Sequence, residues 1–274
     1  MKKTPEIKLK LSKLESILIR LKKVVVAFSG GLDSSLLLFL STKILGKENV
    51  VGIMALSKQV PDWDIKSAMQ ISQKVDCKVI LYKTNQLKNE NFVSNPPNRC
   101  FYCKNETYTA CKEIASLFGI KWILSGTNLD DLSDFRPGLE SAKKYGVRHP
   151  FCEAELTKKD IREISKMFGL VEIEEKPSSP CLASRIPYGT RITEENLEMV
   201  HLAEKFMMDN GFKEIRVRNI GNIAKIEIPK SSFEKFLDSK DYFVNKLKQI
   251  GFAQVCLDME GLRRGSMNEL VLEL

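Results

Sequence analysis

Ser29-Gly30-Gly31-Leu32-Asp33-Ser34, followed at once by Ser35, is a segment suited to holding phosphate. Two adjacent glycines let backbone N–H groups approach an anion closely, and the hydroxyls of Ser29, Ser34 and Ser35 add donors. A second segment, Ser125-Gly126-Thr127-Asn128-Leu129-Asp130-Asp131, sets two carboxylates beside a turn. Asp130 and Asp131 suit a magnesium ion that also bridges phosphate oxygens, since magnesium favours oxygen ligands. An Asx turn capping a helix uses the same residue types. Two further segments carry thiols: Cys100 and Cys103 form a Cys-x-x-Cys pair flanked by Arg99 and Lys104, and Cys181 stands behind Pro180 and ahead of Arg185. Neighbouring cations favour thiolate in both. On these residues alone the pair is a zinc half-site, a redox pair or a coincidence of spacing, and the Cys181 segment is a reactive loop or a plain linker. Arg216 and Arg218 alternate with Val217, so a strand aims both at one face, either to grip one phosphate or to meet solvent.

These groups need elements to hold them. Val24-Val25-Val26-Ala27-Phe28 is a short β-branched run suited to a buried strand, and Ser35-Leu36-Leu37-Leu38-Phe39-Leu40 suits a buried helix with no breaker before Gly46. Such a unit points the partly positive N-terminus of the helix at the Gly30-Gly31 turn. Neither Gly-x-x-x-x-Gly-Lys-Ser/Thr nor Gly-x-Gly-x-x-Gly is present there, which leaves a Walker-type hydrolase or a dinucleotide fold without support. An N-terminal helix capped at Thr4-Pro5-Glu6 is expected to carry Ile7, Leu11, Leu14, Leu18 and Leu21 on one face. Strands are expected at 50–54, 78–82 and 121–124, with helices at 64–75 and 104–118. The alternation predicts an α/β fold, a parallel doubly wound sheet with helices on both faces. Ligands in such sheets collect at the carboxyl ends of the strands, where the Ser29 loop, Ser57 and the Gly126 loop fall. Glu175-Lys176-Pro177-Ser178-Ser179-Pro180-Cys181 breaks the rhythm as a linker or an ordered loop. Beyond Pro187-Tyr188-Gly189 come a helix from Thr193, strands at 214–218 and 223–228, a capping box at Ser231-Ser232-Phe233-Glu234 and a last strand at 253–257. The expected division is an α/β domain over 1–187 and a small C-terminal α+β domain over 188–274.

Length and composition bound the rest. A chain of 274 residues exceeds the usual single-domain size. No run of about twenty apolar residues occurs and no signal h-region opens the chain, so a cytoplasmic protein without membrane contact is the expectation. The net charge of +8 suits a nucleotide, a phosphorylated metabolite or RNA without choosing among them, because the basic residues are dispersed among acidic ones. Seven cysteines, an odd count in a reducing compartment, argue against a disulfide framework. Cys77, Cys111, Cys152 and Cys256 are expected to be buried thiols, and His149 and His201 to have structural roles.

Ser29 to Ser34 behind a strand resembles the PP-loop of the N-type ATP pyrophosphatases, which split ATP to AMP and pyrophosphate. Gly126-Thr127-Asn128-Leu129-Asp130-Asp131 is similar to the second nucleotide-contacting segment of that superfamily. Asn95-Pro96-Pro97-Asn98-Arg99-Cys100-Phe101-Tyr102-Cys103-Lys104, Asp134-Phe135-Arg136-Pro137-Gly138, Pro180-Cys181-Leu182-Ala183-Ser184-Arg185-Ile186-Pro187-Tyr188-Gly189 and Arg216-Val217-Arg218 follow in the order found in the LarE family of ATP-dependent sulfur transferases. The resemblance spans nearly the whole chain. It implies ATP and Mg2+ as cofactors, with ATP held by Ser29, Gly30, Gly31, Asp33, Ser34, Ser35, Ser57, Gly126 and Thr127. It further implies a small-molecule acceptor, pyridinium-3,5-biscarboxylic acid mononucleotide, activated as an acyl-adenylate and converted to a thiocarboxylate for the nickel-pincer nucleotide cofactor. A carboxylate is a poor electrophile until its oxygen is esterified to AMP, and thiolate is the strong nucleophile available near neutral pH.

The family contains two sulfur chemistries. In one the thiol matching Cys181 gives up its own sulfur and becomes dehydroalanine. In the other that cysteine joins a Cys-x-x-Cys pair as three ligands of a [4Fe-4S] cluster whose unprotected iron carries an extra sulfide. The presence of Cys100, Cys103 and Cys181 together favours the cluster. By resemblance Arg216 and Arg218 bind the substrate phosphate or a leaving anion, which makes Cys181, Arg216 and Arg218 the catalytic set. Where the family often has His-Gly after this strand, the chain reads Asn219-Ile220-Gly221, so no role for that histidine carries over. Sulfide or a sulfur-carrier donor and a homo-oligomeric assembly complete the expectation. The rivals are a tRNA thiolase, an amide-forming synthetase and a nucleotide sensor that never turns over. The first lacks a dedicated RNA-binding module here and the second lacks a glutaminase segment, so no stable nucleic-acid partner is expected.

Overall fold

The computed structural model describes residues 5–133, 136–170 and 180–263. The expected cap at Thr4, Asp134-Phe135 and the segment Glu175-Lys176-Pro177-Ser178-Ser179 lie outside the described residues. By compactness the chain forms two units, one within Met1–Ser57, Asp62–Gln86 and Cys100–Ser179, the other within Lys58–Pro61, Leu87–Arg99 and Pro180–Leu274. A cut between residues 187 and 188 falls inside the second of these.

The first unit is built on a four-stranded, all-parallel sheet of β1 (Val24–Ala27), β2 (Val50–Leu56), β3 (Lys78–Lys83) and β4 (Trp122–Ser125), in the order β3-β2-β1-β4. Helix α1 (Pro5–Leu21) precedes it and buries Ile7, Leu14, Leu18 and Leu21 at helical spacing, while Leu11 is half-buried. Alternation along the strands feeds two faces. Val25, Val51, Ile53 and Ile123 pack with Tyr108, Cys111, Ile114 and Ala115 of α5 (Arg99–Leu117). On the opposite side Leu38 of α2 (Leu32–Leu45) meets Gly52, where an added Cβ would lie 3.3 Å from the Leu38 side chain. Helices α3 (Asp62–Val75), α6 (Gly138–Lys144), α7 (Pro150–Glu153) and α8 (Lys158–Met167) complete the first unit, while α4 (Glu90–Val93) belongs to the second. The chain runs from β1 outward through β2 and β3 and returns on the other side of β1 as β4, so the loops after β1 and β4 diverge at the switch point.

Helix α5 begins at Arg99, ahead of the expected start at Lys104. Pro96 and Pro97 do not delay it, because a turn in which the Arg99 N–H donates to the Pro96 carbonyl at 2.9 Å leads straight into the helix. Cys100 and Cys103 therefore sit one turn apart in the first turns of α5, not in a loop before it.

The second unit holds α9 (Glu194–Asp209), capped by the Thr193 side chain on Asn196 N–H, and a three-stranded sheet of β5 (Arg216–Ile220), β6 (Ile223–Glu227) and β7 (Gln254–Leu257). β5 and β6 are an antiparallel hairpin whose turn residues Gly221 and Asn222 have φ of 55° and 66°, the left-handed pair that a tight hairpin needs. β7 adds in parallel. Val217, Ala224, Ile226, Met207, Phe212, Phe236 and Phe243 make its core. The capping box expected at Ser231 to Glu234 does not form. Ser232 is the N-cap of the Phe233–Asp238 helix but makes no side-chain cap bond, because a 3-10 turn over Lys230–Ser232 leads in. No helix among the described residues is long and apolar enough to cross a membrane.

Candidate active site

Between the loops after β1 and β4 lies a cavity of about 200 Å³ lined by Ser29, Gly31, Asp33, Ser34, Ser125, Gly126, Thr127 and Asp131, together with Lys104, Tyr108 and Arg136. The loop after β1 is shaped by its own hydroxyls. Ser34 Oγ donates to the Gly31 carbonyl at 3.1 Å and accepts from the Ser29 N–H at 3.2 Å, with Ser29 Oγ 3.1 Å away. Gly30 has φ +72°, and Gly31 is the extended N-cap of α2 with no side-chain cap bond, so the first N–H groups of α2 are left to the cavity end. The two loops touch through backbone: a Cβ on Gly126 would lie 2.7 Å from Ser34 N.

Of the residues expected to hold ATP, Gly30, Ser35 and Ser57 do not line this cavity. Ser35 is fully buried, and Gly30 packs so closely on Ala68 that an added Cβ would lie 2.7 Å from Ala68 Cβ. The two expected magnesium carboxylates also separate. Asp131 lines the cavity, its Oδ2 accepting from Asn128 N and Nδ2 at 3.1 and 3.0 Å and its Oδ1 paired with Arg136 at 2.7 Å. Asp130 instead turns to the N-terminus of α8, accepting the Lys158 N–H at 2.8 Å. The second cavity carboxylate is Asp33, whose oxygens lie 2.7 and 2.6 Å from Lys158 Nζ. Burial pushes the Asp33 carboxyl up from its ordinary value and the Asp131 charge adds to this, while Lys158 and Arg136 pull it down. Lys104 brings a cation to the same cavity. Tyr108 first, then Cys103 and Cys100, hold its ammonium above the ordinary value against burial.

The three cysteines of interest are reachable: Cys100 is exposed, and Cys103 and Cys181 are half-buried. Cys77 and Cys111 are buried as expected, whereas Cys152, expected to be buried, is half-buried; burial pushes the Cys111 thiol up to about 12 and the Cys152 thiol up to about 11. Cys256, expected to be buried, is exposed, because β7 alternates and turns Gln254 and Cys256 outward while Val255 and Leu257 are half-buried. Cys100 and Cys103 belong to the first unit and Cys181 to the second. Among the described residues no three His, Cys, Asp or Glu side chains are already gathered as a metal site. In chemistry alone, accessible thiols are the donor type that an iron-sulfur cluster takes.

Cys181 is the N-cap of a 3-10 turn, Leu182–Arg185, that two buried ion pairs clasp. Arg185 Nη1 donates to the Pro180 carbonyl at 2.6 Å while its Nε and Nη2 meet both oxygens of Glu204 at 2.7 and 2.9 Å. Arg218 meets both oxygens of Glu227 at 3.0 and 2.8 Å and donates to the Ser184 carbonyl at 2.7 Å. The two arginines of β5 thus differ. Arg218 is 3 % exposed and engaged with Glu227, while Arg216 is half-buried and donates to the Arg263 carbonyl at 3.1 Å. Burial, then the charges of Arg218 and Arg185, lowers the Arg216 guanidinium from its ordinary value.

His149 accepts or donates through Nδ1 at 3.0 Å from Ser125 Oγ, which is 2.8 Å from Thr127 Oγ1, so a structural histidine braces the β4 loop. His201 lies within α9, as expected. Nothing in the sequence singles out Lys158 or Tyr108, Arg136 stands out only within a longer motif, and Lys104 is legible as a cation beside the Cys100 and Cys103 thiols but not as cavity lining.

A family model described as NAD synthase matches residues 10–95. An uncharacterized protein of Synechocystis sp. is 36% identical over 96% of this chain and 98% of its own. The pyridinium-3,5-bisthiocarboxylic acid mononucleotide synthase of Lactiplantibacillus plantarum is 34% identical over 95% of this chain and 94% of its own. An NH(3)-dependent NAD(+) synthetase of Methanocaldococcus jannaschii is 28% identical over 57% of this chain and 62% of its own.

Proposed function

Because the chain belongs to the LarE family, that of the pyridinium-3,5-bisthiocarboxylic acid mononucleotide synthases, it is an ATP-dependent sulfur transferase, and we propose that its cavity between the β1 and β4 loops is where ATP activates the acceptor carboxylate. The observation that carries this is the convergence on one cavity of the Gly31 end of α2, the Gly126-Thr127 loop and two carboxylates, Asp33 and Asp131.

The backbone N–H groups that open α2 and the hydroxyls of Ser29 and Thr127 suit the phosphate oxygens, while Ser34 holds the turn through the Gly31 carbonyl, and Lys104 and Arg136 supply positive charge. Asp33 and Asp131 are the oxygen ligands for Mg2+, with Asp130 reserved for capping α8. Attack of the acceptor carboxylate oxygen on the α-phosphorus expels pyrophosphate, and the donors fixed along the loop meet the charge that develops on the phosphates without reorganising.

Cys100, Cys103 and Cys181 are the thiolates for a [4Fe-4S] cluster, which when bound supplies an open iron able to carry sulfide. The supporting fact is that these three are the accessible thiols of their segments. Arg216 suits the phosphate of the acceptor nucleotide, and Arg218 steadies the Cys181 turn. Sulfide or a sulfur-carrier donor, a cytoplasmic location and a homo-oligomer belong to the same reading, the location supported by seven cysteines that are all free thiols.

The test is anaerobic purification followed by one turnover with ATP and pyridinium-3,5-biscarboxylic acid mononucleotide. Pyrophosphate release, an acceptor mass in which sulfur has replaced oxygen, and about four irons per chain are expected. Loss of iron in each of Cys100→Ala, Cys103→Ala and Cys181→Ala is expected as well. An iron-free protein that loses the mass of hydrogen sulfide from Cys181 assigns the sacrificial route instead.

A further inference from the structure

Lys158, the first residue of α8, spans both carboxylate oxygens of Asp33 at 2.7 and 2.6 Å. Its backbone is fixed as well: Asp130 accepts its N–H at 2.8 Å, and the capping box of Thr157 and Asp160 sets the turn it starts. The other cavity carboxylate is likewise matched, since Asp131 pairs with Arg136 at 2.7 Å. Each acid of the cavity thus has an internal cation. An ammonium held across both Asp33 oxygens engages the atoms a divalent ion would bind, and its charge repels that ion.

We propose that Lys158 is a positioning residue that keeps Asp33 paired until a metal–nucleotide complex arrives, so that the cavity takes magnesium together with ATP and not ahead of it. The proposal rests on the reading of the cavity as the ATP site. A triphosphate brings negative charge that Lys104, Arg136 and Lys158 can answer, and Asp33 then exchanges an ammonium for the metal. Partners are swapped and no buried charge is left alone, which is what makes the exchange accessible. Lys158 has room to move, its side chain being 38% exposed, on a flexible four-carbon stem.

The experiment is titration of Mn2+ into the full chain without nucleotide, at low ionic strength, followed by electron paramagnetic resonance for wild type, Lys158→Met and Lys158→Arg. Removing one repelling charge a few ångströms from a divalent ion is worth about a tenfold gain even in a water-like dielectric, so Lys158→Met is expected to bind manganese about tenfold more tightly. Lys158→Arg is expected to match wild type, and α,β-methylene-ATP to raise wild-type manganese affinity at least to that of Lys158→Met. Damage to the fold moves affinity the other way. Unchanged or weaker manganese binding in Lys158→Met, or a gain equally large in Lys158→Arg, overturns the proposal. A wild type that retains no α,β-methylene-ATP with manganese present overturns the nucleotide reading beneath it.

Discussion

Gly30, Gly31 and Gly126 are glycine for three separate reasons. Gly30 has φ +72° and would drive a Cβ to 2.7 Å from Ala68 Cβ. Gly126 has its neighbours in backbone, Ser34 N at 2.7 Å and Asp33 C at 2.8 Å, which cannot step aside as a side-chain end would. Gly31 has an ordinary φ of −80°, and its nearest contact is Ser29 Oγ at 3.5 Å. An alanine there fits the fold but takes up cavity lining. Gly31→Ala is therefore expected to keep its unfolding free energy within about 0.5 kcal/mol of wild type while weakening ATP binding, whereas Gly126→Ala loses both. Thermal melts paired with ATP titration separate the two. The adjacent aspartates divide in the same way. Asp131→Asn is expected to slow ATP-dependent pyrophosphate release by about a hundredfold, and Asp130→Asn, which keeps an acceptor for the Lys158 N–H, by about threefold or less. Equal losses in both would return Asp130 to the metal.

Asn95 shows how a residue remote in sequence positions the segment after Cys181 within the second unit. It is fully buried at φ 57°, and its Nδ2 donates to the carbonyls of Ile186, Pro187 and Thr190 at 3.3, 2.7 and 2.9 Å. Its Oδ1 accepts from Arg99 Nη1 at 2.7 Å, and that guanidinium lies 4.4 Å from the Tyr188 ring centre. Asn95→Ala strands these carbonyls and forces a left-handed backbone on alanine, so a loss of about 3 kcal/mol is expected in urea denaturation, with Asn95→Gly losing less. Nothing local in Asn95-Pro96-Pro97-Asn98 discloses those partners, which stand some 91 to 95 residues away. β1, α2 and the hairpin of β5 and β6 were legible because a buried β-branched run, an unbroken apolar run and a glycine turn are local signals. The Gly126 loop and Asp131 were legible as a motif. Lys158 was not, since in Thr157-Lys158-Lys159-Asp160 it reads as one more solvated lysine, and Asp33, its partner, is 125 residues away. The start of α5 at Arg99 in place of Lys104 was not legible for a related reason: the turn that leads into it rests on the Arg99 N–H donating to the Pro96 carbonyl, a bond that residue types do not disclose.

Across the whole molecule, stability and protonation are tied through the groups whose acidity folding changes. Burial lowers His149 from its ordinary value of 6.5, so the folded chain holds a neutral imidazole where the unfolded chain takes up a proton. The unfolded state then binds more protons below about pH 6.5, so this stability is fully present above that pH and is lost as pH falls, at no more than about 1.4 kcal/mol per pH unit. Asp160 and Asp258, held below the ordinary 3.8 by Lys10 and Lys225 against the cost of burial, lose their contribution only as pH falls through 3.8 and below. Asp33 has the opposite sign. Its raised value means that the folded chain binds the extra proton, so stability gains as pH falls through the window just above 3.8. Between pH 7.5 and 5.5 His149 is left as the main term. The urea midpoint of wild type is expected to fall over that interval, and His149→Gln, which keeps a polar contact for Ser125 but cannot take the proton, is expected to flatten the fall. A decline equally steep in both proteins would mean that the proton enters elsewhere.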